Sequence, residues 1–457
     1  MEKAAGFAHK RQMLRGQLHP QAAAHQRQPW PRLVQPLAAD ERRAVVLGAG
    51  FAGTSVAERL AARGWQVTVV DAIGPGGGAS GNHVGVLRPL PSADDNRLAR
   101  LLRAAFLYTR NHLRQLDAAG LPIHWGATGV LHLARDAAHE ASQRRAVERL
   151  AAPADYLQFL DRDAASERIG WPVDCGGWYF PGGGWGNPPS LCRANLLHYP
   201  ERIRTVFGQR AERITQVDGE WQVLAADGSE LARAPHLVLA NAADARRLLQ
   251  EHASSDWLPL RPARGQTTLL PTEATPPLDV VVCRQGYVTP ALDGVRVCGA
   301  SFIAGDTDDA QRPAERDDNL AKLDFILPGF TAQLDASQRE QLTGRVGFRP
   351  ISPDRLPMLG PVPGVTAEAS YPASLDLGAR PEAIPRLPGL WLANGFGARG
   401  FVWSALAGEL LASRMHGDPL PIERDLVAAL DPARFLLGDR SRYSAADAGA
   451  EEGSEGG

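Results

Sequence analysis

The chain has no apolar run of 18 or more residues, so no transmembrane helix is expected. Its N-terminus lacks the hydrophobic core of a secretory signal, and the cytoplasm is the expected compartment. Four cysteines, Cys175, Cys192, Cys283 and Cys298, form no CxxC and stand at no metal-ligand spacing from histidine. That pattern argues against a disulfide scaffold or a metal motif and predicts reduced, buried thiols. An excess of charge of one sign is missing too: 49 Lys and Arg against 51 Asp and Glu give a net charge of -2. The molecule as a whole therefore has no general attraction for nucleic acid or acidic membrane, and only local clusters could supply one. No internal repeat is present. At 457 residues the chain is long enough for two to four domains.

What is present gathers first in residues 44–71, AVVLGAGFAGTSVAERLAARGWQVTVVD. Residues 44–47 are a short apolar run that suits a strand buried on both faces of a parallel sheet. Gly48, Gly50 and Gly53 follow in GxGxxG spacing. Residues 51–63 are expected to be helical, stopped by Gly64, and a second strand over 66–70 ends on Asp71. Gly48 permits the tight turn, Gly50 lets a pyrophosphate approach the backbone, and Gly53 lets the helix sit close to the strand. Phe51 and Ala52 open the helix, where free N–H groups and the positive end of the dipole favour phosphate. Asp71, 21 residues beyond Gly50, stands where a carboxylate accepts ribose hydroxyls. A lone GxGxxG is equally a flexible loop; with strand, helix, strand and acid in register it indicates a bound dinucleotide.

Residues 1–43 are basic, and 19–36, rich in Gln, Pro and His, suit a linker. Six glycines in 74–90 argue for a backbone passing close to something flat or charged. Residues 98–116 form an amphipathic helix whose arginines give a solvated face or, as a minority reading, an RNA contact. A strand over 128–133 and a helix over 137–150 follow. Residues 171–193, dense in Gly, Pro and Trp, read as a structured loop, with a helix over 190–199. Short strands fill 211–240, with turns at Asp218-Gly219 and Asp227-Gly228. Further strands, with turns at Gln285-Gly286 and Asp293-Gly294, suggest an antiparallel sheet over 266–299. A helix is expected over 318–326. Residues 344–362 lack periodicity, and 390–413 read strand, glycine loop, helix.

Two strand–glycine loop–helix units thus bracket an antiparallel insertion. A flavin dinucleotide suits that arrangement: one helix serves its pyrophosphate, and the last can face the isoalloxazine, where a positive end favours reduced flavin.

The order GAGFAG, ASGN with GVLRPL, WYFPGGGWGNPPSLCR, RGQ, GFRPISPDRLPMLG and GFGARGFVWSALAGELLAS resembles the D-amino-acid/glycine oxidase superfamily. Within it the chain is most similar to the FAD-dependent half of the bifunctional tRNA 5-methylaminomethyl-2-thiouridine biosynthesis proteins, over roughly residues 43–416. The resemblance implies α/β plus α+β architecture: a Rossmann-like FAD-binding domain carrying an inserted antiparallel-sheet substrate domain, as in glycine oxidase. The implied pieces are 43–120, 188–257 and 385–416 for FAD and 121–187 and 258–384 for substrate. Residues 1–42 form a basic tail or linker, in which 6–16 is similar to the closing segment of a methyltransferase half. Residues 417–457 form an extension, disordered after Arg442. No S-adenosylmethionine-binding unit precedes residue 43, so methylation is not expected of this chain, and a methyltransferase is an implied partner, fused or separate.

The implied substrate is tRNA carrying a carboxymethylaminomethyl group on its wobble uridine, which loses that arm's glycine carbons as glyoxylate. FAD is the implied cofactor; no metal and no membrane are implied. The resemblance puts Ala79, Ser80, Gly81 and Asn82, with Gly85 and Val86, beside the flavin. It puts Gly395, Gly397, Ala398, Gly400 and Phe401 at its pyrimidine edge. Arg349 in GFRP is the implied cation for the substrate carboxylate, unless it ties its loop to a neighbour such as Asp354. Arg399 is the second choice. Tyr287 closes the pocket or is simply packed. His83 and His124 are taken as structural or surface residues. The sequence departs from its relatives at Ser352-Pro353-Asp354 and at Phe401 and Val402, which bears on substrate choice. Competing expectations are a small-molecule oxidase of glycine, sarcosine or D-amino acids, and a non-catalytic FAD-binding subunit docked on a methyltransferase.

Overall fold

The computed structural model describes residues 2–5, 12–15, 38–252, 258–365 and 381–437. Residues 1–36 and 37–457 form two separate compact units. In the first, Glu2–Ala5 pairs antiparallel with Gln12–Arg15. The expected linker over 19–36 and the tail after Arg442 lie outside the described residues.

In the second unit a six-stranded sheet runs in the order Ile203–Phe207, Gln66–Asp71, Arg43–Leu47, His236–Leu239, Arg386–Asn394, Met358–Pro363. Its first five strands are parallel and the last is antiparallel. The apolar run 44–47 needs no polar alternation because both faces are covered. Ala44 and Val46 feed one hydrophobic cluster, Val45 and Leu47 the other. On the first face the helix Phe51–Ala62 packs against the helix Gly400–His416. Their approach is so close that a Cβ on Gly408 would lie 2.5 Å from the Ser55 carbonyl oxygen. The helix Arg97–Ala118 starts where Asn96 accepts the Ala99 N–H, and it buries Leu101, Leu102, Phe106 and Leu113 in the same cluster.

The second sheet has nine strands and is antiparallel except where Val281–Cys283 runs parallel to Val130–Leu133. Its longest strand, Arg261–Pro271, is flanked by Gly344–Ile351 on one side and by Val295–Gly299 and Ile303–Ala304 on the other. The helix Pro313–Ile326 covers it through Leu320, Leu323 and Ile326. The hairpin turns fall where expected, with Asp218 and Gly219, and Asp293 and Gly294, all at positive φ.

Three segments differ from expectation, each for a physical reason. The supposed loop 171–193 contains the strands Gly177–Phe180 and Gly184–Gly186 and the start of the helix Pro188–Leu197. Its glycines are there because backbones meet: a Cβ on Gly177 would lie 2.3 Å from the His132 carbonyl oxygen. Residues 344–351 form a strand with every residue half-buried, so no alternation marks it. Met358–Pro363, within the expected substrate segment 258–384, pairs instead into the six-stranded sheet, as an edge strand that tolerates its prolines. In the helix Arg97–Ala118, Arg100 pairs with Asp425 and Glu423, and Arg103 with Asp95, so both are already engaged.

One buried charge ties the first helix to the end of the helix Pro188–Leu197. Glu58, on the helix Phe51–Ala62, is 0% exposed and accepts from Arg59 and, at 2.8 Å, from His198 Nδ1. Burial pushes its carboxyl up, but the bonds from His198 and Arg59 outweigh it and hold it at about 2. A carboxyl depressed in the folded state stabilises above its unfolded value, near 4.5, and loses that contribution as pH falls toward about 2. Glu58→Gln is expected to cost about 3 kcal/mol at pH 7, in urea unfolding, and much less at pH 3. An equal cost at both pH values would show that charge is not the source.

Candidate active site

A cavity of ≈ 1180 Å³ lies along the carboxyl ends of the parallel strands, with one wall from the nine-stranded sheet. Leu47, Asp71, Ala240 and Asn394 line it from the first sheet; Cys283, Tyr287, Ser301, Phe348 and Arg349 line it from the second. Open α/β sheets bind ligands at this position, outside the carboxyl ends of the strands.

At one end stands the glycine loop. Gly48 has φ +106, and a Cβ there would lie 2.4 Å from the Ala240 carbonyl oxygen. On Gly53 it would lie 1.9 Å from the Gly48 carbonyl oxygen, so that glycine sets the helix on the strand. Gly50 lines the cavity, and Ser80 Oγ accepts the Phe51 N–H at 3.0 Å across the helix N-terminus. The Asp71 carboxylate accepts three backbone N–H groups, from Ala49, Ile73 and Gly74, each at 2.8 Å. This fixes both oxygens at the cavity edge. Asn241, which follows the strand His236–Leu239, also lines the cavity, and its Oδ1 is buried with no hydrogen-bond partner. Sequence reasoning passed over this residue; its signal was the polar NAAD directly after a buried strand.

The other end gathers cations and a phenol. Arg349, on the strand Gly344–Ile351, is half-buried and donates from Nη1 to the Ser301 carbonyl at 3.1 Å. Burial pushes its pKa down, and Tyr287 pulls the other way. Among the described residues Arg349 forms no ion pair. Asp354 does not tie it: that carboxylate takes two bonds from Arg434, at 2.7 and 3.0 Å. Burial pushes the Tyr287 phenol up to about 12, against the pull of Arg349. Arg399 lines the cavity from the turn Gly397–Arg399 that opens the helix Gly400–His416. Arg88, buried and absent from the expected set, lines it near Cys283, whose thiol burial pushes up. All four cysteines are free and buried.

Of the site residues named from sequence, all but Gly53 and Gly81 line this cavity. Gly53 serves the helix–strand contact described above. Gly81 is a correction of a different kind: a Cβ there would lie 2.3 Å from Arg345 Nη2. Arg345 reaches across to bond Asn82 Oδ1 at 3.1 Å and the Gly78 carbonyl, clamping the ASGN loop to the second sheet. Phe401 lines the cavity while stacking on Phe51, with centroids 5.6 Å apart. His83 bonds the Leu292 carbonyl, and His124 is exposed. Among the described residues no group of His, Cys, Asp and Glu is arranged to hold a metal ion, and no helix is long and apolar enough to cross a membrane.

A family model described as FAD dependent oxidoreductase (DAO) matches residues 43–414. The chain belongs to that family. It is 55% identical over 438 residues to the tRNA 5-methylaminomethyl-2-thiouridine biosynthesis bifunctional protein MnmC of Aromatoleum aromaticum, covering 95% of this chain and 65% of that protein. The Azoarcus sp. protein of the same name is 52% identical over 438 residues, covering 96% and 65%. The chain thus spans just under two thirds of these relatives' length. Among solved structures, glycine oxidase from Bacillus cereus matches with a TM-score of 0.64 at 20% identity, covering 82% of this chain and 95% of that one. Iminodiacetate oxidase from Chelativorans sp. matches at 0.66 and 24% identity, covering 87% and 99%. These two likenesses bear on the fold, which is that of the glycine oxidase-like flavoenzymes.

FAD is the cofactor of this FAD-dependent oxidoreductase, and the residues present fit it. The first turn of the helix Phe51–Ala62 suits the pyrophosphate. Asp71 suits the ribose, and the orphaned Asn241 Oδ1 offers an acceptor that a ligand donor can satisfy. Asp71→Ala removes the acceptor of three backbone N–H groups along with the carboxylate that suits the ribose. The apparent affinity for FAD is expected to weaken at least about tenfold, read from flavin retained on gel filtration and from flavin fluorescence titration. Full flavin retention in that variant would contradict the assignment.

Proposed function

We propose that this chain acts on tRNA whose wobble uridine carries a 5-carboxymethylaminomethyl group, with or without 2-thiolation, releasing the aminomethyl base and glyoxylate. What carries the reading is the 55% identity over 95% of the chain to a protein named for tRNA 5-methylaminomethyl-2-thiouridine biosynthesis. The geometry supports it on two counts. Arg349 is a cavity cation without a carboxylate partner among the described residues, as an arm ending in a carboxylate requires. The exposed Arg261 also lines the cavity, and phosphate attraction depends on such local groups.

The substrate arm is a glycine joined through its nitrogen to the base. FAD, when bound, supplies the hydride acceptor. Arg349 takes the carboxylate through two N–H groups, held in line by the Ser301 carbonyl, and so fixes the adjacent CH2. Tyr287, protonated at neutral pH, can donate to the same carboxylate or to the water that follows. The CH2 loses a hydride and the nitrogen a proton, giving a C=N bond. Water adds across that bond and the C–N bond breaks, leaving the primary amine on the base and the aldehyde of glyoxylate. Phe348 and Phe401 add apolar surface to the cavity lining. The primary amine is what a methyltransferase would next use, and such a partner, fused or separate, in the cytoplasm belongs to the proposal.

The test is nucleoside analysis of tRNA after incubation with the enzyme. The expected result is conversion of the carboxymethylaminomethyl nucleoside to the aminomethyl one, with one glyoxylate per conversion. Oxidation of free glycine or sarcosine but not tRNA would move the reading to a small-molecule oxidase. Oxidation of neither would favour a non-catalytic FAD-binding subunit. Arg349→Ala is expected to lower kcat/KM for tRNA by about 10²–10³-fold, the worth of two charge-assisted hydrogen bonds. Arg349→Lys should lose less, and both should retain FAD.

A further inference from the structure

Phe302 is 40% exposed and lines the cavity. Single exposed apolar side chains are ordinary on a protein surface. This one differs in what surrounds it. The Arg349 guanidinium stands over the Phe302 ring in a cation–π contact, its carbon 5.7 Å from the ring centroid. The residue before it, Ser301, is buried and fixed three ways: Oγ accepts the Gln266 N–H at 2.8 Å, Oγ donates to Glu315, and the carbonyl accepts from Arg349. Glu315 is in turn held by Arg264, which is 0% exposed. The residues after Phe302 are ladder-paired, Ile303 with Arg264 and Ala304 with Ala263. A phenyl ring is therefore presented to an open cavity on a backbone anchored on both sides, beside the cation that takes the substrate carboxylate.

We propose that Phe302 is the platform on which the uracil ring of the substrate nucleotide stacks while its arm reaches Arg349. This rests on the tRNA reading above and adds how the base itself is recognised. The dimensions agree. From the uracil ring the arm crosses four bonds to its carboxylate carbon, a span of about 5 Å when extended, long enough for a base stacked on this ring to bring its carboxylate to the guanidinium beside it. An enzyme acting on a group attached to a base must take that base out of its stack and give it a new one, and an aromatic face does so for any base. Phe302 and Arg349 together thus favour an N-substituted glycine carried by a flat ring over free glycine.

The test compares wild type with Phe302→Ala, Phe302→Leu and Phe302→Trp in anaerobic flavin reduction by an anticodon stem-loop bearing the modified uridine. The inhibition constant of N-ethylglycine, which has the amine and carboxylate but no base, is measured alongside. The expected result is a rise of about 10- to 100-fold in the half-saturating stem-loop concentration for the Ala and Leu variants. The saturating rate and the N-ethylglycine constant should stay within about twofold, and Trp should restore wild-type behaviour. Unchanged half-saturation in Phe302→Ala, or Leu performing as well as Trp, would overturn the stacking role while leaving the tRNA reading intact. A parallel loss of N-ethylglycine binding would reassign Phe302 to positioning Arg349. Failure of wild type to be reduced by the stem-loop would overturn the tRNA reading and the stacking role together.

Discussion

Holding a guanidinium half-buried costs about several kcal/mol unless a carboxylate or a set of acceptors compensates. At Arg349 the protein supplies the Ser301 carbonyl and no carboxylate among the described residues. Arginine keeps its charge in such a place, and in the proposed reading the partner it lacks comes with the substrate. Much of the second sheet is arranged around this condition. Asp354, the nearest acid in sequence, is drawn off by Arg434. Glu315, the buried acid behind Ser301, is taken by Arg264 and by the Ser301 hydroxyl. The local carboxylates are thus committed to other partners, and the cavity cation stays available to an anionic ligand.

The first sheet faces a different constraint, the thickness of the backbone. Gly53 on Gly48, Gly48 on Ala240 and Gly408 on Ser55 are contacts with no room for a side chain. They set the first and last helices of the FAD-binding layer against the sheet and against each other, which aims the start of each at the cavity. Arg345 then joins the two sheets through the loop that carries Ser80 and Asn82. The cofactor end and the substrate end are in this way parts of one cavity.

Much of this was legible in the sequence, and the exceptions have physical causes. Residues 43–71 could be read because a strand covered on both faces shows as an unbroken apolar run and because close backbone contacts demand glycine. Arg349, Arg399 and Tyr287 were reached through the order of motifs, since spacing alone does not bring distant loops together. The strand Gly344–Ile351 was missed because every residue in it is half-buried. The edge strand Met358–Pro363 was hidden by prolines that an interior strand would not accept. Arg345 finds its partners more than 260 residues away, and the Asp354–Arg434 pair spans 80. Asn241 and Phe302 stand out only once an orphaned oxygen and an exposed ring are seen to line the same cavity.

The central claim is that the cavity cation reads a carboxylate presented by tRNA. The most direct measurement is the rate of anaerobic flavin bleaching by two tRNA preparations identical except at the wobble uridine. One carries the carboxymethylaminomethyl arm and the other the aminomethyl group that lacks the carboxylate. The account predicts rapid bleaching by the first, with glyoxylate formed in equal amount, and none by the second. Equal bleaching by both, or bleaching by free glycine in place of either, would contradict it.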